Sequence, residues 1–271
     1  MVSEFTRLSA EERPVSDVEG ERQVQPAAQL TVASYNIHKC VGTDGKFEPL
    51  RIKRVLLELD ADIIALQEAD ARFGDRQGLL DLELLQHLGG YQAVADVGSR
   101  TRSHGWHGNV ILYRNGRVRQ VQRLDLPGLE PRGALVADID LADIQIRIIA
   151  AHLGLLRRSR SLQVTKLLAA AQPDDGRPVV VMGDMNEWRM AGRSALRMFD
   201  PHLSNHHGAV PSFPSRMPLW PLDRILVTRD VDVVDFMALD TPLARVASDH
   251  LPVRAQLSIL AGAGIRAAMG T

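Results

Sequence analysis

The stretch Pro178-Val179-Val180-Val181-Met182-Gly183-Asp184-Met185-Asn186 decides how this chain is read. Its apolar run has the length of a buried strand, ends in a glycine, and then presents a carboxylate and an amide two residues apart. Alternate residues of extended chain share a face, so Asp184 and Asn186 project to the same side. An acid and an amide together at the end of a buried strand suit a reactive site better than a core. A plain turn competes with that reading, because Gly, Asp and Asn are common turn residues. This segment alone leaves the two open.

Outward from it, apolar runs predict strands over 30–37, 63–67, 109–113, 118–126, 134–141, 144–151, 179–182, 224–227, 231–238 and 253–259. Helical spacing predicts helices over 50–59 (after Pro49), 79–88 and 161–171. The opening strand-helix-strand order implies a parallel crossover, whereas the helix-free strands between Val118 and Ala151 imply antiparallel pairing. Together they give mixed sheets with helices packed outside. No repeat and no linker interrupts residues 30–260, which read as one domain. Residues 1–29, rich in Glu, Arg, Gln, Ser and Pro, read as a disordered or loosely attached arm, and 261–271 as a tail.

Composition excludes several classes. The 271 residues are 45% hydrophobic and 24% charged, which is ordinary for a globular domain. A net charge of -1 provides no global basic field to collect nucleic acid. The lone cysteine, Cys40, rules out an internal disulfide framework and fits a reducing compartment; an incidental thiol is the preferred reading over a nucleophile. The arm lacks the apolar block of a signal peptide, and no run reaches the length of a membrane span. A soluble, cytoplasmic protein is expected, with no partner protein evident.

Polar residues collect where the apolar runs end. Asn36 closes the first strand, Glu68 the second, His152 the run Arg147-Ile148-Ile149-Ala150-Ala151, and Asp184 and Asn186 the next. Asp223 opens the strand after Leu222, and Ser248-Asp249-His250 precedes the last. Each alone reads as a turn residue, but a carboxylate such as Glu68 directly after an apolar run needs a partner or a metal. Set at successive strand ends, these residues converge on one rim, where open sheets place their sites.

The ordered set Asn36, Glu68, His152, Asp184-x-Asn186, Asp223 and Ser248-Asp249-His250 resembles the endonuclease/exonuclease/phosphatase superfamily from about residue 30 to residue 259. The resemblance implies a four-layer α/β/β/α sandwich of two mixed, mostly antiparallel sheets, and hydrolysis of phosphoester bonds with Mg2+, for which Mn2+ can substitute. It implies Asn36, Glu68 and Asp249 as metal-side residues, with the hard oxygen ligands that magnesium prefers. By the same resemblance Asp184 orients or deprotonates the attacking water, and Asn186 hydrogen-bonds a phosphate oxygen. His250 contacts the phosphate with Asp223 holding its tautomer, and His152 binds phosphate or protonates the leaving group. Which histidine is acid and which is base stays open.

Weaker substrate candidates are Asn109, after Gly108, and Arg132, in Arg132-Gly133-Ala134-Leu135. Arg224, where relatives often carry an aromatic, reads as a specificity contact, and Lys39 as either a cation beside the metal pair or a loop residue. The run Arg157-Arg158-Ser159-Arg160 reads equally as a phosphate-facing loop or a helix start. His104, His107 and the pair His206-His207 do not form a convincing metal set. The expected function is a metal-dependent phosphodiesterase acting on a lipid headgroup or small phosphodiester. The alternatives are a nucleic-acid nuclease and an inactive phosphate-binding module.

Overall fold

The structure, a computed structural model, describes residues 26–260 apart from 72–73, 95–101, 143, 173–175, 190–193 and 205–207. The segments read above as an arm (up to residue 25) and as a tail (261–271), together with His206-His207, therefore lie outside the described residues. Among the described residues eleven strands run in chain order: β1 (Pro26–Asn36), β2 (Ile63–Gln67), β3 (Gln92–Ala93), β4 (Val110–Tyr113), β5 (Gly116–Leu126), β6 (Arg132–Leu141), β7 (Ile144–His152), β8 (Val179–Asp184), β9 (Asp223–Val227), β10 (Val231–Ala238) and β11 (Val253–Leu260). They form two sheets, ordered β10-β11-β1-β2-β4-β3 and β5-β6-β7-β8-β9. Pairing is antiparallel except at β1/β2 and β7/β8.

Each parallel pair needs a crossover. The helix α1 (Pro49–Leu59) supplies the first, after α1's start is fixed by Pro49 at a position where a missing N–H costs nothing. Helix α2 (Leu82–Gly89) follows β2, with Asp81 capping the Leu84 N–H at 2.9 Å. Helix α3 (Arg157–Ala170) supplies the second crossover, and the short α4 (Pro242–Ala247), capped by Thr241, precedes β11. The helix expected over 161–171 begins a turn earlier, so the basic run is its first turn. The helix expected over 79–88 starts at Leu82, because Asp81 is the residue able to cap it. The first strand starts at Pro26, ahead of Leu30, because Pro26 to Ser34 are held by β11.

The central strands β2, β4, β8 and β9 are buried on both faces, and alternate residues sort into different layers. Val32, Ala65 and Ile111 of one sheet meet Ala137, Ile148, Val180 and Ile225 of the other in a core between the sheets. Their neighbours Ala33, Ile64 and Leu112 face outward onto Ile52, Val55, Leu56 and Leu85 of the first two helices. Ile149, Val181 and Leu226 face outward on the second sheet, onto Val164 and Leu167 of α3. The result is the expected four-layer α/β/β/α sandwich. Cys40 lies in the outer core of the first sheet, and burial pushes its thiol up to about 12. It is an inert packing residue.

Two local devices fix the second sheet. Gly183 has φ +151, and a Cβ there would stand 1.8 Å from the Ala151 carbonyl oxygen, so β7 and β8 pair this closely only with glycine at 183. Arg160 is fully buried; it donates to Glu187 at 3.0 Å and to the carbonyls of Gly154 and Leu155 at 3.1 and 2.6 Å. Glu187 also accepts the Arg189 and Ala195 N–H groups. This pair clamps the chain leaving β7 to the chain leaving β8. Arg160→Ala or Glu187→Ala strands a buried charge and should cost about 3–5 kcal/mol. The joint replacement Arg160→Met with Glu187→Leu should cost less than either alone, as read from urea unfolding midpoints.

Candidate active site

Strand pairing brings the polar ends together. His152 lies beside Asp184 in the parallel β7/β8 register, and Asp184 lies beside Asp223 in the antiparallel β8/β9 register. Asn36 ends β1 beside Gln67 of β2, so Glu68 follows directly, at φ 55. Asp184 Oδ2 is the hub: Asn36 Nδ2 donates to it at 3.0 Å, and the Nε2 atoms of His152 and His250 stand 3.4 and 3.8 Å away. Its other oxygen accepts the Asn186 N–H at 2.9 Å. Asn36, Glu68, His152, Asp184, Asn186 and His250 all line one cavity of about 270 Å3.

The two histidines are tuned in opposite directions. His250 Nδ1 donates to Asp223 Oδ2 at 2.8 Å, the orienting bond expected from the sequence. Ser212 Oγ donates to the same Asp223 oxygen at 2.6 Å. Burial opposes charge on His250, but Asp223 and then Asp184 outweigh it and raise its pKa to about 10. His152 has a guanidinium where His250 has a carboxylate: Arg132 Nη1 donates to His152 Nε2 at 2.9 Å. Burial first, and then Arg132, lower the His152 pKa to about 3. At neutral pH His250 is an imidazolium and His152 a neutral acceptor. Burial, aided by Asp223 and resisted by His250, raises Asp184 to about 6.

The residues expected on the metal side fall into two groups. Glu68 is half-buried; burial opposes its ionisation, but His152, which is charged only at the low pH where Glu68 titrates, and then Lys39, whose ammonium rests on its carboxylate, bring it down to about 2. Asn36 turns its Oδ1 toward the His38 N–H at 3.0 Å, which leaves one lone pair of that oxygen. Asp249 does not line the cavity; its carboxylate faces His38 Nδ1 at 3.8 Å. Among the described residues no three His, Cys, Asp or Glu side chains converge as a metal cage. Two oxygen donors beside an open cavity, one a carboxylate that already draws a cation, suit a hard divalent ion that keeps much of its water, and not zinc.

Several candidates stand elsewhere. Asn109 is fully buried and donates to the Trp106 and Gly133 carbonyls at 3.1 and 2.9 Å, tying β4 to β6 outside the cavity. Arg224 is buried; its guanidinium donates to the Asp223 carbonyl at 3.1 Å, and burial lowers it to about 10. It does not line this cavity. Arg157 and Arg158 are exposed on α3, whereas Arg160 serves the buried clamp. His104 Nε2 donates to the Leu80 carbonyl at 2.8 Å.

Sequence reasoning passed over Glu130, which grips Arg132 through two bonds of 3.2 and 2.9 Å and accepts the Leu155 N–H at 2.9 Å. It also passed over Trp188 and gave Phe213 no role at the site. Leu155, Trp188, Phe213 and Leu222 form an apolar wall of the cavity, with the Phe213 ring 4.8 Å from that of His250. An adjoining cavity of about 370 Å3 is lined by Lys39, Arg76 and Arg132 together with Glu68, Asp70 and Glu130. Of Glu130, Trp188 and Phe213 only Glu130, two residues before β6, stands close to a strand end, whereas Trp188 lies four residues past β8 and Phe213 ten before β9.

The family model described as the Endonuclease/Exonuclease/phosphatase family matches residues 33–250, which span every residue of this rim. The chain belongs to that family. The activities that name the family all hydrolyse phosphoester bonds. The protein YbhP of Escherichia coli strain K12 is 28% identical, the match covering 84% of this chain and 96% of YbhP. Among solved structures, an endonuclease/exonuclease/phosphatase from Beutenbergia cavernae superposes with TM-score 0.65 at 22% identity, covering 85% of this chain and 72% of that one. The human Nocturnin catalytic domain, solved with a bound sulfate anion, gives 0.62 at 20% identity over 85% and 94%. Those likenesses establish the shared sandwich.

The split between the histidines is measurable in the protein itself. In chelator, the His250 ring followed by nitrogen-15 NMR should remain protonated through neutral pH and titrate near pH 10. Asp223→Asn should bring that titration down by about 1–3 units. His152 should stay neutral across the same range.

Proposed function

We propose that this family member is a divalent-metal-dependent phosphodiesterase, with magnesium the fitting ion and manganese a substitute. The observation that carries the reading is the Asp184 hub, with a raised carboxylate facing one charged and one neutral histidine across a single cavity. A divalent ion held by Glu68 and Asn36 would neutralise charge on a non-bridging phosphate oxygen.

The chain's own groups have distinct work. Asp184, with its pKa near 6, is poised to hold and deprotonate a water at neutral pH. The His250 imidazolium, held by Asp223, offers its Nε2 proton to a phosphate oxygen as charge grows. Asn186 uses one amide proton on the Leu153 carbonyl at 2.9 Å and keeps a second for the phosphate. His152 cannot act as the protonated acid, because Arg132 holds its Nε2 as an acceptor. Arg132, oriented by Glu130, supplies the fixed positive charge on that side. No helix among the described residues is long and apolar enough to cross a membrane.

Cleavage of bis-p-nitrophenyl phosphate should require magnesium or manganese and stop with chelator. Asp184→Asn and His250→Ala should each lower kcat by about 100- to 10,000-fold, with a much smaller change in KM. Turnover that survives chelation, or that is unchanged in both variants, rejects the reading.

A further inference from the structure

The apolar wall of the site continues outward onto the surface. Trp188 packs against Phe213 at 5.5 Å and against Trp220 at 5.4 Å, so the wall extends ring by ring from His250 to the rim. Beyond it stand Leu156, Met217, Leu219 and Trp220, which are 49%, 62%, 52% and 39% exposed. The loop carrying three of them is fastened: the Leu219 and Trp220 N–H groups donate to the Phe213 carbonyl at 2.9 and 2.8 Å, and the Met217 N–H donates to that of Pro214 at 3.0 Å. These side chains are therefore held out in water by a formed turn. Exposed apolar side chains presented in this way beside a site mark something that covers them.

Arginines border each protrusion. Arg157 and Arg158 follow Leu155 and Leu156, Arg189 follows Trp188, and Arg216 precedes Met217; all four are exposed. Apolar tips backed by cations, with tryptophan between, match the physical demands of a negatively charged lipid surface. We infer that this arginine-edged lip docks the protein on an anionic phospholipid surface, so that the wall of Leu155, Trp188, Phe213 and Leu222 receives the glyceride side of a lipid phosphodiester. The inference rests on the phosphodiesterase reading and names its substrate class.

The charge pattern separates lipid from the other occupants. A nucleic acid strand needs a track of cations for successive phosphates. The adjoining cavity instead pairs Lys39 with Glu68, Arg76 with Asp70 and Arg132 with Glu130, which suits one phosphate and an uncharged headgroup. A second copy docked through the same lip would bring like arginines face to face.

The test is co-sedimentation of the full chain, in chelator, with vesicles of phosphatidylcholine alone and of phosphatidylcholine with phosphatidylglycerol. Wild type should bind the anionic vesicles about tenfold more tightly, with a blue shift of tryptophan emission. Leu156→Glu with Leu219→Glu should weaken vesicle binding about tenfold or more, while hydrolysis of soluble bis-p-nitrophenyl phosphate with magnesium stays within about twofold of wild type. Arg158→Glu with Arg189→Glu should remove the preference for anionic vesicles and leave soluble turnover alike. Wild type that binds vesicles no better than the double glutamate variant overturns the inference. So does tryptophan quenching by an oligonucleotide without vesicle binding, or a dimer that the glutamates break without vesicle binding. Lip-dependent vesicle binding without soluble diester hydrolysis keeps the docking surface and rejects the catalytic reading.

Discussion

The site depends on one backbone approach. With β7 and β8 parallel and in register, His152 and Asp184 finish side by side, and the antiparallel β9 then starts with Asp223 in the same row. That row exists because Gly183 lets the Ala151 carbonyl come close, at a backbone angle that other residues rarely adopt. The first sheet meets this row from the opposite side of the core, and its contribution is Asn36, whose amide reaches Asp184. Two sheets thus share one buried carboxylate.

Burial then sets chemistry by the type of neighbour. Both histidines are almost wholly buried, so desolvation pushes each toward the neutral form. What separates them is a single choice of partner: a carboxylate at Nδ1 of His250 and a guanidinium at Nε2 of His152. The family resemblance alone left both histidines as candidates for acid and base. The contacts set the two rings apart in charge without any difference in exposure, and Glu130, by fixing the guanidinium, takes part in that split.

Much of the fold was legible because periodicity reports burial. The central strands were readable from their apolar runs, and the strand-end positions of Glu68, His152, Asp184 and Asp223 followed from where those runs stop. The misses have physical causes. Asn109 and Arg224 share the composition of site residues but satisfy buried carbonyls, a role that only three-dimensional neighbours reveal. Glu130 lies in a turn whose partner is across a strand, and Trp188 lies beyond the strand end that drew attention. The α4 helix is too short to show a period, and the basic run at the start of α3 left loop and helix start equally open, with nothing in its charge to show that Arg160 has a buried mate.

That buried mate constrains how this sequence can change over time. Arg160 and Glu187 lie 27 positions apart, yet neither can be exchanged singly without leaving a charge stranded in the core. A lineage drifting away from the pair must cross an unstable intermediate or change both codons nearly together. The two positions are thus expected to behave as one inherited character, and the loops they clamp, from Gly154 to Leu155 and from Glu187 to Arg189, become resistant to insertion although both border the rim.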